Sequence, residues 1–135
     1  MNCVFIDSGY LIALETSDDQ NHKSAFIHWQ KLCKELPPLL TTSYVFDEVI
    51  TFFNNKGRHE KAAEIGKNIL ESLSIKLIHI NESLFQKSWE YFQQHHDKSY
   101  SFTDCTSFVV MKHYKITKAL TFDKHFKQAG FEVLP

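Results

Sequence analysis

Four acidic residues are placed where they can do chemistry: Asp7, Glu48, Asp104 and Asp123. Asp7 ends the apolar run Cys3-Val4-Phe5-Ile6, Asp123 ends Ala119-Leu120-Thr121-Phe122, and Glu48 and Asp104 fall within helical patterns. Carboxylates brought together raise one another's pKa and destabilise a fold unless protons, basic partners or cations offset them. A hard divalent cation is the natural counterpart, because Mg²⁺ and Mn²⁺ prefer oxygen ligands and Mg²⁺ keeps several waters while taking one or two carboxylates directly. Cations held in this way suit phosphodiester cleavage: they polarise the phosphate, lower the pKa of an attacking water and neutralise the leaving oxygen.

Each acid also has an ordinary reading. Asp7 and Asp123 follow strands and fit helix N-caps, worth about 1 kcal/mol each. Ser101-Phe102-Thr103-Asp104 is a capping-box pattern in which Asp104 serves the backbone. Glu48 stands beside Asp47, which fits plain solvated helix surface and leaves open which of the two belongs to a cluster. Asp97 reads as a turn residue with Ser99 rather than as a helper to Asp104.

The acids can meet only if separate elements bring them to one end of a sheet. Residues 2–6 read as a strand in which Cys3, Val4, Phe5 and Ile6 are consecutive rather than alternating, as in a central parallel strand covered on both faces. A helix follows from Ser8 to Glu15, and 22–36 repeats Ala25, Phe26, Trp29, Leu32, Cys33 and Leu36 at helical spacing. Pro37 and Pro38 close that helix ahead of a strand at 39–42. A helix from Ser43 carries Val45, Phe46, Val49, Ile50 and Phe53, and Gly57 separates it from a helix at 58–73 with Ala62, Ala63, Ile65, Ile69, Leu70 and Leu73 on its apolar face. A strand at 75–80 precedes Asn81, a cap for the helix carrying Leu84, Phe85, Trp89 and Phe92. A helix at 101–114, a strand at 119–122, a short helix from Lys124 and a strand at 131–134 complete the chain. Strands alternating with helices predict an α/β fold with a mostly parallel central sheet, since parallel neighbours need crossovers. Ligand sites in such sheets lie beyond the carboxyl ends of the strands.

Composition excludes several alternatives. The 135 residues carry fifteen Lys and Arg against sixteen Asp and Glu, 43% hydrophobic residues and only four glycines, which describes one domain over 1–135 rather than a linker or a disordered tail. Cys3, Cys33 and Cys105 are odd in number and lack any C-x-x-C spacing, which fits a reducing compartment. No apolar run approaches the ~20 residues that span a bilayer, and the amino-terminal residues lack a basic region, so a cytoplasmic location is expected. Eight histidines include no H-E-x-x-H, and His59, His113 and His125 lack a paired motif, so no zinc site is expected. No G-x-G-x-x-G or G-x-x-x-x-G-K-[ST] occurs, which disfavours nucleotide-binding enzymes. Gly9 stands where an aspartyl-nucleophile phosphatase would carry the second Asp of D-x-D.

The segments Val4-Phe5-Ile6-Asp7-Ser8, Thr42-Ser43-Tyr44-Val45-Phe46-Asp47-Glu48-Val49, Ser101-Phe102-Thr103-Asp104-Cys105 and Leu120-Thr121-Phe122-Asp123-Lys124-His125-Phe126 match, in order and spacing, the motifs of one family. The chain resembles the PIN-domain family of metal-dependent nucleases, which includes the VapC toxins of toxin–antitoxin pairs. By this resemblance Asp7, Glu48, Asp104 and Asp123 correspond to the acidic quartet. The resemblance implies a three-layer α/β/α fold, an Mg²⁺- or Mn²⁺-dependent endoribonuclease acting on RNA, homodimers and, for a toxin, a cognate antitoxin protein that blocks the site.

For an RNA substrate, Lys56, Arg58, Lys61, Lys98, Lys112, Lys124 and Lys127 are candidates to meet phosphates, with solvated surface as their ordinary reading. Tyr10, Tyr44, Tyr100 and Phe126 are candidates to stack on unpaired bases, although Phe126 more readily walls the core. The rival from another class is a PIN-like module that binds RNA or protein with little turnover. Four retained carboxylates argue against it, because a site without activity has no chemical need for them.

Overall fold

The computed structural model describes residues 2–135. Five strands form one sheet in the order β3-β2-β1-β4-β5, and all four pairings are parallel. The strands are β1 (Val4–Ile6), β2 (Leu39–Thr42), β3 (Ile75–Ile78), β4 (Lys118–Leu120) and β5 (Glu132–Leu134). The helices are α1 (Ser8–Glu15), α2 (His22–Leu32), α3 (Ser43–Asn55), α4 (His59–Glu71), α5 (Glu82–Gln94), α6 (Phe102–His113) and α7 (Lys124–Gln128).

Alternation along the central strands divides the core into two halves. Val4, Ile6, Leu39 and Leu120 pack with Tyr10, Ala13 and Ala25 of α1 and α2 on one face. Phe5, Leu40 and Ala119 pack on the other with residues of α3, α4, α5, α6 and α7, among them Val49, Ile65, Leu84, Phe108 and Phe126. A sheet covered by helices on both sides is the three-layer α/β/α arrangement, and burial on both faces explains why β1 shows no polar alternation.

The chain steps outward from β1 through β2 to β3, then returns to the far side of β1 to build β4 and β5. The reversal falls between β1 and β4, so the loops leaving these two neighbours turn away from each other and open a crevice at their carboxyl ends. Buried hydroxyls reinforce this centre. Thr41 Oγ1 donates to the Ile6 carbonyl at 2.9 Å, and Thr42 Oγ1 accepts from Val45 N at 3.1 Å, capping α3. Gly57, at φ 71°, adopts the left-handed conformation that turns α3 into α4.

The boundaries differ from the sequence expectation where local chemistry intervenes. The helix expected at 22–36 stops at Leu32 and tightens into a 3₁₀ turn over Cys33–Glu35 ahead of the two prolines. The strand expected to reach Phe122 leaves the ladder after Leu120. Several residues assigned to apolar stripes face solvent: Phe26, Ala63, Leu70, Phe85, Trp89 and Phe92 are exposed, because α2, α4 and α5 lie on the outside of the layers and bury narrower faces, and Leu73 is exposed because α4 ends at Glu71. No helix among the described residues is long and apolar enough to cross a membrane. The three cysteines are free.

Candidate active site

The site grows from the crevice between β1 and β4. Asp7 follows β1 directly, and its backbone N–H donates to the Leu120 carbonyl at 3.0 Å, carrying the strand contact up to the acid itself. Asp7 occupies the N-cap position of α1, yet its side chain makes no cap bond. Instead its Oδ2 accepts from Thr121 Oγ1 at 2.7 Å. The same hydroxyl oxygen accepts from Asp123 N at 3.0 Å, so Thr121 touches both acids of the crevice. Asp7 is only 6% exposed. Burial pushes its pKa up to about 7; the Thr121 and Ser8 bonds oppose the rise, and the charges of Asp104 and Asp123 add to it.

Asp104 enters on α6. The capping box is formed in full: Asp104 N donates to Ser101 Oγ and Ser101 N donates to Asp104 Oδ2, each at 3.0 Å. The capping role and cluster membership coincide, because the buried first turn of α6 points this carboxyl toward Asp123. Burial is the main cause that raises the Asp104 pKa, and Asp123 adds to it, while the Ser101 N–H and His125 hold it down.

Asp123 caps α7, its Oδ1 accepting from His125 N at 2.9 Å. Glu48 projects from α3, and its Oε1 accepts from Ser8 Oγ at 3.0 Å. The residue as a whole is exposed, but its carboxyl end turns toward the crevice. Desolvation there raises its pKa first, and the charges of Asp104, Asp47 and Asp123 add to this against the Ser8 bond. Asp47 makes only a long bond with Thr51, at 3.4 Å on the exposed face. Asp104 and Asp123 thus act on both Asp7 and Glu48, which approach the pair from β1 and α3.

One further group belongs to the cluster. His125 Nδ1 lies 3.1 Å from Asp123 Oδ1 and 3.3 Å from Asp104 Oδ2. Single ligand atoms from Asp104, Asp123 and His125 all fall within 4.8 Å of one another, a donor set that fits a divalent cation. Reading histidines for paired zinc motifs passed over His125; the signal available was its place two residues after a strand-end Asp, at the start of a helix.

Other expectations resolve plainly. Tyr10 is fully buried, with its hydroxyl 2.8 Å from His28 Nδ1, so it packs the core and offers no face to a base. Tyr100 and Phe126 are buried as well. Tyr44 remains half-exposed, against Phe102. Asp97 lies in an exposed turn beside Lys98, as its turn reading expected. Lys61 is paired with Glu15 at 2.8 Å, while Lys124 and Lys127 are exposed next to the acids.

Comparison with known proteins identifies the family and matches the fold. A family model described as PIN domain matches residues 4–132, and the chain belongs to the PIN-domain family. It is 33% identical over 133 residues to the 23S rRNA-specific endonuclease VapC20 of Mycobacterium tuberculosis, covering 98% of each chain. The crystal structure of that organism's VapC20, described as a Sarcin-Ricin loop cleaving toxin, superimposes with a TM-score of 0.83 at 31% identity over 95% of both chains. VapBC2 of Rickettsia felis, bound to a promoter DNA fragment, matches in fold alone: TM-score 0.70, 10% identity, 98% of this chain and 97% of that one.

Proposed function

We propose that this chain is a divalent-metal-dependent endoribonuclease, the toxin of a toxin–antitoxin pair, with Asp7, Glu48, Asp104 and Asp123 as its metal-holding and catalytic acids. The observation that supports the reading is proximity: Asp104 and Asp123 form a ligand-sized group with His125 and act electrostatically on Asp7, after β1, and on Glu48, from α3, near the reversal of strand order. A cation bound there, Mg²⁺ or Mn²⁺, supplies Lewis-acid polarisation of a phosphate and a lowered pKa for the attacking water. The protein's part is positional. Thr121 orients Asp7, Ser101 orients Asp104, Ser8 orients Glu48, and the α7 amide orients Asp123, so each carboxylate is fixed before substrate arrives. Lys124 and Lys127 are placed to meet the phosphates of a passing strand.

The VapC20 likeness makes a 23S rRNA stem-loop the first substrate to try. A single domain over 1–135, an antitoxin protein, homodimerisation and a cytoplasmic setting belong to the same proposal. The test incubates wild type and Asp7→Asn, Glu48→Gln, Asp104→Asn and Asp123→Asn with such RNA, with Mg²⁺, with Mn²⁺ and with EDTA. Cleavage by wild type alone, dependent on metal and leaving 5′-phosphate and 3′-hydroxyl ends, is the expected result. Cleavage that persists in EDTA, or equally in all variants, rejects the mechanism; binding without turnover in any metal marks a binding module instead.

A further inference from the structure

The acidic quartet leaves one member of the cluster without a role. We propose that His125 contributes Nδ1 as a nitrogen ligand to the cation held by Asp104 and Asp123, so that the site favours first-row transition ions over Mg²⁺. The inference rests on the metal-dependent reading above and goes beyond it by naming a ligand of a different chemical kind.

Three observations carry it. Nδ1 is closed off from water, and no hydrogen-bond partner is aligned with it, although two carboxylate oxygens stand 3.1 and 3.3 Å away. A carboxylate can only accept, so a protonated Nδ1 finds its partners off axis and an unprotonated one turns its lone pair toward two anionic oxygens. A cation among the three atoms resolves both cases. The separations also suit one, since neighbouring ligands on an octahedral ion with ~2.1 Å bonds stand about 3 Å apart.

The second observation is that the oxygens retain capacity. Asp104 Oδ2 accepts one backbone bond from Ser101, and Asp123 Oδ1 accepts one from His125 itself. Each has a lone pair left, and the backbone bonds aim it.

The third is that the ring is held in place. It stands edge-on to buried Tyr100 with centroids 5.5 Å apart, and the next residue, Phe126, is anchored in the core against Phe5 and Phe108. A ligand fixed before the ion arrives loses little freedom on binding.

An imidazole nitrogen changes which ion is preferred. Mg²⁺ is bound by oxygens, whereas affinities of mixed nitrogen and oxygen sites climb along the first-row series that begins at Mn²⁺. Mn²⁺ is the useful probe because it is paramagnetic and is also a candidate for the reaction.

The experiment titrates the metal-stripped chain with Mn²⁺ and, separately, with Mg²⁺, and records the electron spin-echo modulation of bound Mn²⁺. Wild type is expected to show modulation from a directly coordinated nitrogen. His125→Ala and His125→Asn should lose it, with Mn²⁺ affinity falling at least about tenfold and Mg²⁺ affinity moving much less. Asp104→Asn should weaken both ions together. His125→Asn, with a melting temperature matched to wild type, guards against a folding defect. Bound Mn²⁺ without a coordinated nitrogen, or an unchanged Mn²⁺/Mg²⁺ preference in His125→Asn, overturns the ligand assignment alone. A wild type that binds neither ion and cleaves in EDTA overturns the metal-dependent reading with it.

Discussion

At the amino-terminal end of the sheet, a recess of about 510 Å³ is lined by residues that include Cys3, Val4, Leu36, Pro38, Lys115 and Lys118. At the carboxyl end, beyond β1 and β4, Asp104, Asp123 and His125 cluster, with Asp7 and Glu48 within reach of the two aspartates. The first is a hollow of mixed apolar and polar lining, with Glu35, Lys115 and Lys118 among its residues. Chain entering β1 and β5 there is closed by backbone bonds, Val4 N to the Pro38 carbonyl and Glu132 N to the Thr117 carbonyl. The carboxyl end instead gathers ionisable groups whose charges oppose one another. The recess draws attention to one end; the reversal of strand order and the gathered charge draw it to the other, the one proposed as the active site.

The largest expected effect follows from removing a carboxylate at the charged end. Asp104→Asn should lower RNA cleavage by at least about 100-fold, whereas Lys118→Gln at the opposite recess should leave the rate unchanged. Cleavage rates at saturating Mn²⁺ check both, and comparable losses would erase the distinction between the two ends. Glu48→Gln should cost at least about tenfold, and Asp47→Asn should be close to neutral, because Glu48 holds Ser8 and feels Asp104 and Asp123 while Asp47 reaches only Thr51. The reverse pattern would move the site by one residue.

Stability against pH probes the same contrast. Asp7 has a folded-state pKa of about 7 against an ordinary value of 3.8, so the folded protein holds this proton more firmly than the unfolded chain does. Stability of the metal-free protein should therefore be greatest at low pH within this pair of values, fall between about pH 4 and 7, and level off above. Glu48 and Asp104, shifted in the same direction, reinforce the slope. Urea titrations at pH 5 and pH 8 should show a loss of a few kcal/mol, flattened in Asp7→Asn and offset at pH 8 by added Mn²⁺. Glu35→Gln at the other end should leave the slope intact.

A smaller effect is expected from Thr121→Val, which leaves the buried Asp7 carboxyl without its 2.7 Å donor and should cost about 1–3 kcal/mol in the same titrations. Tyr10→Phe, remote from both ends in function, should cost about 1 kcal/mol through the lost His28 bond and leave cleavage unaffected.

Much of the architecture was legible because the strands are short and enclosed. Val4-Phe5-Ile6 and Leu39-Leu40 are apolar without alternation, which only a sheet covered on both faces accommodates, and each strand is followed by a helix start that its last residues announce. The positions of Asp7, Asp104 and Asp123 were legible for the same reason, since strand ends and helix starts are where a parallel sheet collects its ligand groups, whereas Glu48, inside α3, was singled out by the family resemblance. Two things were not. Periodicity located α5 correctly but placed Phe85, Trp89 and Phe92 inside, because an amphipathic pattern does not reveal how wide a face its neighbours will cover. His125 was missed because its partners are an aspartate two residues back and another twenty-one residues back, a proximity made by α6 docking beside α7 rather than by any local spacing.

The hydroxyl of Thr121 serves acids on both sides of the strand reversal, giving its proton to one and receiving from the amide of the other. Serine retains that bridge and valine abolishes it, so a single methyl-for-hydroxyl exchange removes a donor from the Asp7 carboxyl and an acceptor from the Asp123 amide at once. Because that oxygen links the residue after β1 to the residue leading into α7, the two sides of the strand reversal are tied together by one side chain.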